Sequence, residues 1–169
     1  MKSKCKTVFK SILFFILITN LACKENSKHH KSDDTMQHKL YDFGVRYTEA
    51  WNSQKPEQVA SFYASDGILT VNNGTPVVGR DALIEFTKGF MEAFPDLKLT
   101  MDSLVTNNGR TEYHWTFVGT NTGPNGTGNA VDFSGFESWI LNEDGLVKES
   151  IGTYDAEEYN IQVSGKIKQ

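Results

Sequence analysis

Hydrophobic positions along this chain change their spacing several times, and each change marks a new kind of segment. Residues 12–18 are an unbroken apolar run, whereas residues 24–36 show no apolar period. From Leu40 the spacing becomes helical, with Leu40, Phe43, Tyr47 and Trp51 on one stripe. After Asn52-Ser53-Gln54-Lys55, Pro56 opens a short second helix through Val59, Phe62 and Tyr63. Residues 67–71 form a short strand, which Asn72-Asn73-Gly74 turns towards a second extended piece at 76–78. The longest helix runs from Arg80 to Phe94. Leu83, Phe86, Phe90 and Phe94 share its stripe, and Ile84 and Met91 widen it.

From Pro95 the period is two. Leu97, Leu99 and Met101 alternate with polar residues, and Asn107-Asn108-Gly109 is a hairpin signal. The strand from Thr111 to Thr120 carries Tyr113, Trp115 and Phe117 on one face and His114, Thr116 and Val118 on the other. The strand from Val131 to Leu141 places Val131, Phe133, Glu137 and Trp139 together, and a last strand ends at Tyr154. Helices first, then an antiparallel meander, predict an α+β domain with helices covering one sheet face.

Charge changes the reading of the N-terminus. Lys2, Lys4, Lys6 and Lys10 precede the apolar run, which is shorter than the ~20 residues a membrane-spanning helix needs. This order is that of a secretory leader over residues 1–22. Cys23, directly after Ala22, suggests a lipoprotein cleaved before the cysteine and acylated on it, although Asn20 and Leu21 depart from the usual residues there. Ordinary secretion and an uncleaved anchor are the other readings. Residues 23–36 then become a lipidated cysteine and disordered tether, 37–160 the folded domain, and 161–169 a tail. The expected location is the cell envelope, on the periplasmic or surface face of a bacterial membrane. Cys5 leaves with the leader, so the exported domain folds without a disulfide.

Losing the four leader lysines moves the net charge from −4 to −8. A chain this acidic, with no Lys/Arg cluster, argues against nucleic-acid binding. The histidines and acids lack metal-ligand spacing, and no cofactor-binding motif is present. The remaining candidates for chemistry are carboxylates in aromatic surroundings. Asp155 is either a general base whose pKa burial raises or a solvent-facing cap of the Ala156-Glu157-Glu158 turn. Glu137 shares the parity of Phe133 and Trp139, so it either faces the interior as a second acid or polar ligand contact, or reaches solvent at an edge. Trp51, Tyr63, Phe86, Phe90, Trp115, Phe117, Phe133 and Trp139 are the candidates to line a pocket for an apolar small molecule. The Asn121 amide is placed either for a ligand carbonyl or for loop hydrogen bonds. His114, Thr116 and Val118 mark an outer sheet face through which a homodimer could form.

Several segments together resemble the SnoaL-like polyketide cyclases of the nuclear-transport-factor-2-like superfamily. They are Phe94-Pro95-Asp96-Leu97; Trp115 through Gly123, with Asn121 where the family has histidine; Gly135-Phe136-Glu137, with Glu137 where histidine is common; and Gly145-x-Val147-x-Glu149. The resemblance covers roughly residues 40–160. It implies a cone-shaped fold in which three N-terminal helices pack on a strongly curved antiparallel sheet. It also implies an intramolecular aldol closure without cofactor, with Asp155 at the position of the family's catalytic aspartate. Two functions follow as expectations: a cofactor-independent cyclase or isomerase acting on a small carbonyl compound, or a non-catalytic ligand-binding domain of the cell envelope.

Overall fold

The computed structural model describes residues 22–166, with side-chain surroundings from residue 35 onward. The expected leader lies outside the described residues except for Ala22, and the end of the expected tail, 167–169, also lies outside. The chain divides into two units, Met1–Lys39 and Leu40–Gln169. In the first unit, residues expected to be a disordered tether are helical. Helix α1 begins at Ala22 and ends at Asn52 in the second unit. No glycine or proline interrupts it before Gly44, so nothing in residues 24–36 stops a helix once one is started further along. Among the described residues no helix is long and apolar enough to cross a membrane.

The second unit is the α+β domain. Its part of α1 is followed by α2 (Pro56–Ala60), β1 (Tyr63–Val71), β2 (Val77–Val78) and α3 (Arg80–Ala93). Strands β3 (Lys98–Asn107), β4 (Arg110–Thr120), β5 (Ala130–Leu141) and β6 (Val147–Tyr154) follow, and α4 (Ala156–Ser164) is the last element among the described residues. The curved six-stranded sheet has the order β2-β1-β6-β5-β4-β3. The meander from β3 to β6 is antiparallel, as the alternation predicts. One pair is not: β1 runs parallel to β6, with Leu69 opposite Ser150 and Val71 opposite Gly152. That pairing joins strands with α3 and four further strands between them, and it brings β1 and β2 beside the last strand.

The predicted helix stripes face this sheet. Phe43, Tyr47 and Trp51 of α1 are buried, as are Leu83 and Met91 of α3. Asn52 pins the end of α1 to β3: it accepts from the Leu99 amide at 2.7 Å and donates to the Leu99 carbonyl at 2.9 Å. Two elements differ from expectation. Phe62 and Tyr63 do not extend the second helix; Tyr63 already opens β1, because α2 stops after Ala60. The second difference is α4, which continues through the expected domain end at residue 160. Its Tyr159 packs on Phe133 and Tyr154, with ring centroids 5.1 and 5.7 Å apart. Gln162 bonds both backbone groups of Asp132.

Candidate functional site

Glu137 sits on β5, between β4 and β6. The two-residue period turns it, like Phe133 and Trp139, towards the helices. In register it lies between Tyr113 of β4 and Gly152 of β6. Its side chain is buried, at 8% exposure. Four neutral side chains donate to the carboxylate. Oε2 accepts from Ser150 Oγ at 2.7 Å, Trp139 Nε1 at 2.9 Å and the Tyr63 hydroxyl at 3.0 Å. The Tyr47 hydroxyl reaches Oε1 at 3.0 Å and Oε2 at 3.3 Å. Among the described residues no cationic side chain pairs with Glu137 within 4.0 Å. The charge is therefore held by neutral donors alone.

Those donors come from four elements, so the network ties the domain together around one carboxylate. Burial, and after it the Glu137 charge, raises the phenol pKa of both Tyr47 and Tyr63 well above the ordinary value. Tyr113 is pushed up as well, chiefly by burial; its hydroxyl bonds Thr48 at 2.6 Å and its ring stacks on Trp139. The Trp51 indole stands beside the Tyr47 phenol, close enough to offset part of that rise. Its buried N–H is nevertheless outside hydrogen-bonding geometry and has no partner.

Glu137 forms the polar floor of a cavity of about 60 Å³. Its walls are the rings of Trp51, Phe86, Phe90, Trp115, Phe117, Phe133 and Tyr154, with Leu69, Val71, Leu99 and Gly152 completing it. Two glycines shape this space. A Cβ on Gly135 would lie 2.6 Å from the Trp115 ring and 2.5 Å from the Thr153 carbonyl, so the missing side chain lets the indole lie across β5. A Cβ on Gly152 would contact Val71 and Leu69 and come within 3.8 Å of the Glu137 side chain. A space this size holds a few water-sized groups, at ~10–15 Å³ for each.

Several expected residues meet here: Glu137, Trp51, Phe86, Phe90, Trp115, Phe117 and Phe133 all border the cavity. Three expected lining residues do not. Tyr63 and Trp139 are fully buried behind the carboxylate and act as its donors. Asn121 is a loop residue: it donates to the Ala93 carbonyl at 3.1 Å and accepts from the Thr127 amide at 2.9 Å, tying the exit of β4 to the end of α3. Asp155 does not enter the site. It is exposed and caps α4, accepting from the Glu158 amide at 2.9 Å. The chain has already left the sheet at Tyr154, so the next residue faces the helix start rather than the interior. His114 lies on the outer sheet face, as its parity predicts, beside Glu112 at 3.2 Å and near the Phe136 ring. Thr116, on the same face, donates to Asp102 at 2.8 Å. Among the described residues no group of His, Cys, Asp and Glu is arranged to hold a metal ion.

Sequence reasoning missed Tyr47 and Ser150 as partners of Glu137, and Gly152 as the cavity residue opposite it in register. Tyr47 stood on the predicted helix stripe, and Ser150, Gly152 and Tyr154 share one strand parity. Only the register of β6 against β5 and β1 reveals what they face.

A curved six-stranded sheet under helices, with an aromatic-lined cavity between them, is the nuclear-transport-factor-2-like fold. The model of the SnoaL-like polyketide cyclases matches residues 43–162, and the chain belongs to that family. Solved structures share the fold at low identity. A phenazine biosynthesis-related protein from Pseudomonas aeruginosa is 17% identical, with a TM-score of 0.66, over 83% of this chain and 94% of its own. A hypothetical protein with a ketosteroid isomerase-like fold from Catenulispora acidiphila, solved in complex with trimethylamine, is 10% identical, with a TM-score of 0.64, over 72% and 92%. An epoxide hydrolase/cyclase-like enzyme of pyran ring formation in the polyether salinomycin is 13% identical, with a TM-score of 0.62, over 72% and 95%. No curated protein matches the sequence.

Proposed function

We propose that this domain is a small-molecule-binding module of the cell envelope, its ligand held in the aromatic cavity with Glu137 as polar anchor. The observation that carries the reading is the single buried carboxylate at the floor of an otherwise apolar cavity. Four donors occupy most of its lone pairs, which suits an anchor better than a proton acceptor. The lysine-rich leader and Cys23 support export and lipid attachment; lipid labelling that survives Cys23→Ser would remove that part. A homodimer through the outer sheet face, with His114, Thr116 and Val118 at the contact, is part of the same proposal. Sedimentation that gives a monomer at high concentration would contradict it.

A second reading is cofactor-independent proton transfer of the cyclase or isomerase type on a small carbonyl compound. It is favoured by Glu137 Oε1, which has only Tyr47 as donor and belongs to the group that borders the cavity. The epoxide hydrolase/cyclase-like relative fits this reading. In it Glu137 takes the place expected of Asp155, which lies in solvent. A thermal-shift screen of small carbonyl compounds, followed by product analysis, separates the two. Binding without product supports the anchor. Product formation that Glu137→Gln abolishes and Asp155→Asn leaves intact establishes the enzyme. Product formation lost in Asp155→Asn alone would reject the assignment of Glu137 altogether.

A further inference from the structure

We infer that the ligand of this cavity presents a compact cationic head, a protonated alkylamine or quaternary ammonium group, to the Glu137 carboxylate between aromatic faces. The inference deepens the binding reading and rests on it. Its first support is an unbalanced charge. A carboxylate buried to 8% exposure has no cationic partner among the described residues, although burying a charge without its opposite is costly. Ser150, Trp139, Tyr63 and Tyr47 all donate to it, the arrangement an anion requires, and the indole N–H of Trp139 is a donor only. Neutral donors disperse the charge but leave its sign. A cation entering the cavity would be the missing counter-charge.

The walls supply the second support. Trp51, Phe86, Phe90, Trp115 and Tyr154 surround the space in front of the carboxylate, and aromatic faces attract cations through their quadrupole, most strongly when water is excluded. An alkylammonium group is apolar on its outside and positive overall, so it satisfies walls and floor at once. A neutral carbonyl ligand fits worse. Its oxygen would meet a carboxylate, and the unpartnered Trp51 N–H is itself sealed from solvent. The space of about 60 Å³ suits a compact head rather than a long chain.

The test compares choline with its neutral isostere, in which carbon replaces the quaternary nitrogen, by calorimetric titration of the full chain at matched ionic strength. The expected result is choline binding at least about tenfold tighter than the isostere. Glu137→Gln should remove that preference while the isostere still binds. Because Glu137→Gln disturbs a buried network, Trp115→Leu is the second variant. It leaves the carboxylate's donors in place and should reduce the choline preference several-fold. Equal or tighter binding of the isostere by the wild-type chain would overturn the cationic head and leave the pocket reading standing. Absence of binding by either probe would overturn both. A choline preference unchanged in both variants would place the cation elsewhere on the chain and reject this site.

Discussion

Asp155 and Glu137 are both carboxylates in or next to the C-terminal strands, yet the backbone gives them opposite surroundings. Asp155 follows the last residue of β6 and takes the Glu158 amide at the start of α4. A cap of this kind is worth ~1 kcal/mol. Asp155→Ala should therefore lower stability in urea by about 1 kcal/mol and leave affinity for any cavity ligand unchanged. A loss of ligand affinity instead would return Asp155 to the site. Glu137 is legible in the sequence only as a parity shared with Phe133 and Trp139, which leaves both the interior and a solvent-facing edge open to it. That it collects four donors depends on residues from α1, β1 and β6 that no local pattern joins to it.

At the scale of elements, Phe94-Pro95-Asp96 closes α3 onto the sheet. Phe94 is fully buried and packs on Phe117, while Asp96 accepts from the Thr120 amide at 2.7 Å. That bond holds the Asp96 carboxyl below its usual pKa. A depressed carboxylate pKa stabilises the fold above the unfolded value of ~3.9, and the contribution is lost as pH falls through the folded one. Asp96→Asn should thus be less stable than wild type near neutral pH, and the difference should close at about pH 2. Urea titrations at the two pH values check this, and a difference that persists in acid would mean the charge is not its source. The segment was legible as a motif, but its work is structural: it fixes the junction of α3 with β4, next to the ring of Phe117 that walls the cavity.

At the scale of the whole domain, buried phenols make the fold sensitive to alkali. Tyr47, Tyr63 and Tyr113 all have raised pKa values, with burial the leading cause. A raised pKa for an acid favours its protonated form in the folded state. The contribution is complete below the unfolded value of ~10 and falls away as pH rises beyond it. Unfolding should therefore become steeply easier above about pH 10, and ionisation of these three phenols should coincide with loss of near-ultraviolet dichroism. Their ionisation while that dichroism persists would show that the phenols are open to solvent in the folded domain. The same rings form the centre of the domain: Tyr47 and Tyr113 both pack on Trp139, with centroids 5.1 and 4.8 Å away. Hydroxyl network and aromatic core are one structure.

The sequence by itself determined the helix stripes of α1 and α3, the alternation of β3 to β6, the hairpin turns and the parity that Glu137 shares with Phe133 and Trp139. Each follows from a repeat of two or 3.6 residues that a single segment carries within itself. It also determined the family, through short motifs spread over the domain. Tertiary structure alone decided the parallel pairing of β1 with β6, the folding of residues 156–164 as a helix, and which carboxylate reaches the cavity. These depend on register between strands far apart in the chain. The single residue that takes the backbone from Tyr154 into α4 was enough to move Asp155 from the interior to the surface.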